Sequence, residues 1–364
     1  MSVTINGTTG IDTIQDGIVS TAKIAADAVT TPKIADTVNL GRRNLIINGA
    51  FTIAQRSTSE TGVNSNGYKT VDRWNYNRDT ASVLTMSQDT NAPDGFANSF
   101  KILVTTADTN ISATEQDRVE TTFEGQNLQH LKYGTASAQQ LTVSFWVKTN
   151  KPGSWSVGLY MDGAGYNISQ AYTVNSADTW EYKTVTFVGN TAQAITSDNA
   201  KRFRLWFTLA AGVGRTSGSS NTWSTSTTHR AVGQSVNLLD TINNYWQITG
   251  VQMEVGDTAT SFEHRPYGEE LLACCRYYWT ETFYGQGYQS ASNDYSEMIQ
   301  HPVEMRAAPT RSFTGSILYS SNINSAQISG NPGGSGKWIT RVYLRAAGTG
   351  YLQYGQAFQL DAEL

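Results

Sequence analysis

Hydrophobic and polar residues alternate along much of the chain. Leu141, Val143, Phe145 and Val147 interleave with Thr142, Ser144, Trp146 and Lys148. Trp155, Val157, Leu159 and Met161 interleave with Ser156, Gly158 and Tyr160. Phe203, Leu205, Phe207 and Leu209 do so with Arg202, Arg204, Trp206 and Thr208. A period of two predicts strands with one buried face. Further strands are expected at Ser99–Thr105, Thr179–Val188 and Tyr245–Val255, with Gly, Asn, Asp and Ser clusters as the turns between them. Strands with one polar face belong to antiparallel sheets, which points to an all-β sandwich spanning residues 41–265.

The pattern changes at both ends. After Pro266, the run Glu269, Glu270, Leu271, Leu272 and Ala273 favours a short helix, with Pro266 suited to its first turn. An apolar aromatic strand is expected at Arg276–Thr282. Others are expected at Ser312–Tyr319, Trp338–Arg345 and Gly350–Leu360, with a loop by composition at Gly330–Gly336. Residues 266–364 therefore read as a helix plus a small β domain. The first 40 residues contain no aromatic, and Val19–Ala25 recurs as Val29–Ala35. Such a segment closes no core alone but can wrap around copies of itself, so an extended shaft or anchor is expected there.

Composition narrows the function classes. Charged residues make up 15% of the 364, well under the roughly 25% of ordinary soluble domains. Thr, Ser, Asn, Gln and Gly replace them, the profile of an extracellular or viral β protein. A net charge of −4 argues against a nucleic-acid partner. No apolar run is long enough to span a membrane as a helix. The opening residues lack the basic and apolar regions of a secretory signal, so synthesis in a host cytoplasm is expected. Cys274 and Cys275 are adjacent, and neighbours pair badly, so both are read as reduced and structural.

No catalytic or metal-binding constellation emerges. His130, His229, His264 and His301 lie far apart and read as hydrogen-bonded surface groups. Nucleophile-elbow, His-Glu-x-x-His and Cys-x-x-Cys patterns are lacking. Gly212–Gly218 and Gly163–Gly165 read as turns. A glycan-cleaving enzyme would need two carboxylates about 5 to 9.5 Å apart. Asp162 and Asp178 are the kind of residue required, but sequence does not bring them together.

A binding role suits the residues better, because aromatic faces stack on sugar C–H surfaces while amides and hydroxyls meet sugar OH groups. The candidates are Tyr166 and Asn167, beside Gly165, and Trp223 in a wholly polar run, with local packing as its other reading. Tyr284 and Tyr288 stand among Gly and Gln, either as a distal tip or as a glycine-punctuated strand at a subunit interface.

Several segments also resemble a recurrent domain of bacteriophage tail fibres. They are Asn44–Arg56 with Gly67-Tyr68 and Val71–Trp74, Val251–Gly256 with Ala259-Thr260 and Phe262-Glu263, Tyr267–Leu271 through Cys275–Tyr278, Pro302–Thr310, and Leu360–Leu364. The Thr-Ala-Lys-Ile-Ala repeats are similar to shaft-like fibre leaders. The resemblance implies a jelly roll like that of carbohydrate-binding modules, a homotrimer, and a place in the virion tail. It allows a structural calcium, for which Glu254 and Asp257 stand near a strand end. Within these motifs, Trp74 is expected in the core and Arg73 on a carboxylate. Arg276, among Tyr277, Tyr278 and Trp279, suits stacking on a ring at a subunit interface.

The expectation is thus a non-catalytic tail-fibre subunit. It would join other tail or baseplate proteins through residues 1–40 and meet a host polysaccharide or lipopolysaccharide. The alternatives are a purely structural baseplate or collar component and a glycan depolymerase.

Overall fold

A computed structural model describes residues 42–330 and 336–364. The repeat at residues 19–35, the proposed anchor, and most of the Gly330–Gly336 loop lie outside the described residues.

Strands dominate the described chain, and every pairing is antiparallel. The first six are β1 (Ser59–Val63), β2 (Gly67–Tyr68), β3 (Asn75–Asn77), β4 (Val83–Asp89), β5 (Ser99–Thr106) and β6 (Gln116–Glu124). The next six are β7 (Leu141–Thr149), β8 (Gly153–Met161), β9 (Asn167–Val174), β10 (Glu181–Phe187), β11 (Lys201–Ala211) and β12 (Tyr245–Val255). They form two six-stranded sheets, ordered β1-β4-β5-β12-β7-β10 and β2-β3-β6-β11-β8-β9. The result is a jelly-roll sandwich. The alternating residues of β7, β8 and β11 close its core as their spacing predicts, together with Trp74, Phe100, Ile102 and Trp246.

A helix, Tyr267–Cys275, then leads to two three-stranded sheets. They contain β13 (Tyr278–Gln289), β14 (Asp294–Gln300), β15 (Thr310–Ser321), β16 (Ile323–Gly330), β17 (Ile339–Ala346) and β18 (Gly350–Asp361). Their orders are β13-β18-β15 and β14-β17-β16, and Phe283, Val342, Leu344, Leu352, Phe358 and Leu360 fill the second core. The segment around Tyr284 and Tyr288 is therefore strand, and β13 runs seven residues beyond the expected Thr282.

The tail-fibre motifs, scattered in sequence, meet in space. Asn48 donates through Nδ2 to the carbonyls of Ile53 and Asp72 at 2.8 and 2.9 Å. The Asn44 backbone N–H donates to Glu263 at 2.7 Å, and Met253 N–H donates to the Asn44 side chain at 3.1 Å. Buried Arg73 pairs with Glu363 and lies 3.5 Å from the Tyr277 ring centroid. Arg56 lies 3.6 Å from the ring of Tyr278. Arg73 thus finds a carboxylate and Trp74 is core, as expected. Arg276 differs: it makes a two-pronged pair with Glu124 at 2.8 Å, within the same chain. The ring stacking falls to Arg73 and Arg56 instead.

His301 also departs from the surface reading. It is buried between the Lys337 carbonyl and Thr340 Oγ1, at 2.7 and 2.8 Å, beside Trp279. Burial holds its pKa below the ordinary histidine value.

Candidate functional site

The second sheet turns Phe203, Leu205, Phe207 and Leu209 of β11 into the core. Alternation therefore turns Arg204, Trp206 and Thr208 outward. The register aligns these with outward residues of neighbouring strands. One row runs Asn75, Glu120, Trp206, Gly158 and Ser169; the next runs Thr122, Arg204, Tyr160 and Asn167. Arg118 faces Thr208 and Asn77 in the row beyond.

Tyr160 stands at the middle of this face, half-buried, with the Trp206 ring 5.9 Å away. The Trp206 indole has room because position 158 is glycine. A Cβ there would lie 2.7 Å from Trp206 Nε1. Trp206 Nε1 donates to the Arg230 carbonyl at 3.1 Å, which ties the loop after β11 down onto the sheet. Gln234 and Ser169 anchor the same loop, accepting from Ser156 N–H at 2.5 Å and from Val232 N–H at 2.8 Å.

The face is charged. Arg118 Nε donates to Glu120 at 2.9 Å. Arg204 reaches Glu120 at 3.2 Å and grips Asp162. Burial works to raise the Glu120 carboxyl, but the charges of Arg118 and Arg204 outweigh it and hold the group below its ordinary value. The guanidiniums of Arg204 and Arg230 lie 5.1 and 5.7 Å from the Tyr160 ring centroid. At the end of β8 the face opens into a cleft of about 240 Å³ beside Asp162, Gly163, Gln193, Thr196 and Arg202. Such a surface offers a ring to stack on, fixed cations, and amides and hydroxyls for hydrogen bonds.

The residues singled out from sequence separate into two groups. Asn167, Tyr166 and Trp223 share one end of the sandwich. Asn167 is buried and donates to the carbonyls of Ser224 and Ser226 at 2.7 and 3.1 Å. Trp223 Nε1 donates to the Val188 carbonyl at 2.7 Å, and its ring meets Tyr133 edge-on at 5.9 Å. Tyr166 packs against the same core from its rim. Tyr284 and Tyr288 belong instead to β13, on the outer face of the C-terminal sheet. Tyr284 stacks on Tyr319 at 6.0 Å, and Tyr288 meets Tyr351 edge-on at 5.4 Å. All four rings are exposed, Tyr351 to 77%.

Tyr160, Trp206 and Arg230 were not among the sequence candidates. One signal was available for two of them. Tyr160 and Trp206 occupy the outward phase of their strands, where a large ring serves no core.

The acids considered for cleavage do not meet. Asp162 follows β8, whereas Asp178 sits in the turn beyond the other end of the β8–β9 hairpin, accepting from the Tyr245 hydroxyl. A nine-residue strand separates them by roughly 30 Å. Glu254, named for calcium, spends its oxygens on Thr260 N–H at 2.9 Å, Thr260 Oγ1 at 2.8 Å and Gln252 at 2.9 Å. Among the described residues, no cluster of three or more His, Cys, Asp or Glu side chains is placed to hold a metal ion.

No family model matches the chain, nor does any curated protein. Solved structures match part of the chain at low identity. The enzymatically active domain of tailspike protein 4 of bacteriophage CBA120 is 13% identical, with a TM-score of 0.32, over 58% of this chain and 21% of that one. The chain thus spans about a fifth of the tailspike structure. A CBM4 carbohydrate-binding structure is 14% identical, with a TM-score of 0.32, over 57% of this chain and 97% of that one. The family 11 carbohydrate-binding module of a Clostridium thermocellum cellulosomal cellulase is 11% identical, with a TM-score of 0.28, over 58% and 99%. At TM-scores this low the likeness carries no functional argument.

Proposed function

We propose that this protein is a structural subunit of a bacteriophage tail fibre, and that it holds a host-surface polysaccharide or lipopolysaccharide on the outer face of its second sheet. The observation that carries the binding reading is Tyr160, an outward ring backed by Trp206, with the guanidiniums of Arg204 and Arg230 5.1 and 5.7 Å from its centroid. The tail-fibre reading is supported by the motif residues, which join in one cluster from Asn44 to Glu363. Residues 1–40 would fasten the subunit to the tail or baseplate. A homotrimer would multiply weak contacts into avidity.

Purified protein should compete with phage for host cells, and Tyr160→Ala should abolish that competition while leaving the melting temperature unchanged. Undiminished competition by the variant would remove the face from the reading.

The exposed tyrosines of the C-terminal sheet favour a second reading, a purely structural baseplate or collar component whose contacts are all with its own kind. Failure of the protein to block adsorption, together with a trimeric mass by light scattering, would favour it. Binding without cleavage is inferred from the carboxylates. Glycan hydrolysis needs one carboxyl kept protonated, yet Glu120, the buried acid of this face, is held ionised by Arg118 and Arg204. New reducing ends on incubation with host capsule would overturn that inference.

A further inference from the structure

Charge on the outer face of the second sheet does not cancel. The carboxylates on it are already taken: Glu120 by Arg118 and Arg204, Glu124 by Arg276, and Asp162 by Arg204. Arg230 has no carboxylate partner among the described residues. The strongest charge effects of basic residues on its guanidinium come from Arg215, Arg118 and Arg204. Nor is it a loose surface chain. Its carbonyl accepts from Trp206 Nε1 at 3.1 Å and from Gln116 Nε2 at 3.3 Å, so the sheet itself fixes its backbone. Its guanidinium is held 5.7 Å from the Tyr160 ring centroid. A half-buried cation fixed among cations is unfavourable unless an anion completes the set.

We propose that this face takes an acidic saccharide, its carboxylate on Arg230 and its C–H face on Tyr160. This rests on the binding reading above and adds the charge class of the ligand. Arginine's planar fork matches a carboxylate in two hydrogen bonds, which a neutral sugar cannot supply. The pairing also sets a register, because the carboxylate can reach Arg230 only when the ring lies beside Tyr160.

The test uses the full chain and titration calorimetry with two probes: tetragalacturonate, and its methyl ester, in which the charge is gone and the shape nearly kept. The acid should bind roughly tenfold or more tightly than the ester. Arg230→Ala should bring the acid down to the level of the ester. Arg230→Lys, which keeps the charge but not the fork, should fall between, and an unaltered melting temperature for each variant secures the comparison. Equal binding of acid and ester overturns the acidic-ligand assignment, while loss of both in Tyr160→Ala would keep the face as the binding site. Binding of both that survives Tyr160→Ala removes the face as well. If neither probe binds, or if inorganic phosphate displaces the acid at equal concentration, the saccharide assignment is overturned.

Discussion

Arg73 adopts a left-handed backbone (φ 70°), as do Asn48 (60°) and Phe51 (54°) in the segment before it. Asparagine tolerates that region, but the other two are held there by their surroundings. Phe51 is fixed against Trp74 at 5.1 Å and Phe100 at 5.6 Å, and Arg73 by Glu363 and the Thr122 carbonyl at 2.7 Å. The motif residues thus earn their places by bonding to one another. Glu363→Gln should leave the Arg73 charge buried and alone, costing about 3–5 kcal/mol in chemical denaturation. Asp72 adds a pH dependence. Burial raises its carboxyl to about 6, although hydrogen bonds from Gln55 work the other way. A carboxyl raised in the folded state stabilises fully below its unfolded value of about 3.9, and that contribution is lost as pH rises through about 6. Compared with Asp72→Asn, the parent should therefore gain roughly 2 kcal/mol between pH 7 and pH 4. Parallel urea titrations at the two pH values check this, and a constant difference would refute it.

At the scale of elements, β7, β8 and β11 were legible because each buries one face only, and the period of two survives. Strand β6 was not. Its sequence, Gln116 to Glu124, is rich in charge, yet every residue in it is buried. The reason is that its outer face is covered too, with Glu124 beneath Arg276 and Tyr277, and Glu120 beneath Arg118 and Arg204. Partners distant in sequence satisfy those groups, and no local pattern announces them. Trp223 shows the converse. Its sequence neighbours are polar, but its spatial neighbours are Tyr133 and Phe203. Strand β8 yields a sharper test. Gly158→Ala places a methyl against the Trp206 ring and 3.0 Å from the Ile168 carbonyl. It should cost about 1–3 kcal/mol in denaturation and shift the tryptophan emission, because the indole must leave its place.

Across the whole molecule, the sandwich and the smaller β unit were anticipated from alternation and from the helix at residue 267, whereas the partners of the exposed faces were not. β14 and β16 lack a clear apolar phase and went unread, because Asp294, Ser296, Ser325 and Gln327 lie exposed on their outer sides. The tyrosine face belongs to this scale. Tyr284, Tyr319, Tyr288 and Tyr351 contribute little to the chain's own core, so Tyr284→Ser with Tyr319→Ser should change unfolding free energy by only about 0.5 kcal/mol. If the face joins copies, the same double variant should lower the mass seen by sedimentation from three chains to one. An unchanged mass would assign assembly to other surfaces.

The pairing of Arg73 with Glu363 also has a consequence in time. The two are 290 residues apart, so at ~5–20 residues per second the arginine leaves the ribosome roughly 15–60 seconds before its carboxylate exists. Throughout that interval the strands around Arg73 cannot close over it without trapping a bare charge. A chain whose translation stops short of Glu363 stays open at that seam. Closure of that seam is thus tied to the completion of synthesis, because its two charges come from opposite ends of the described chain.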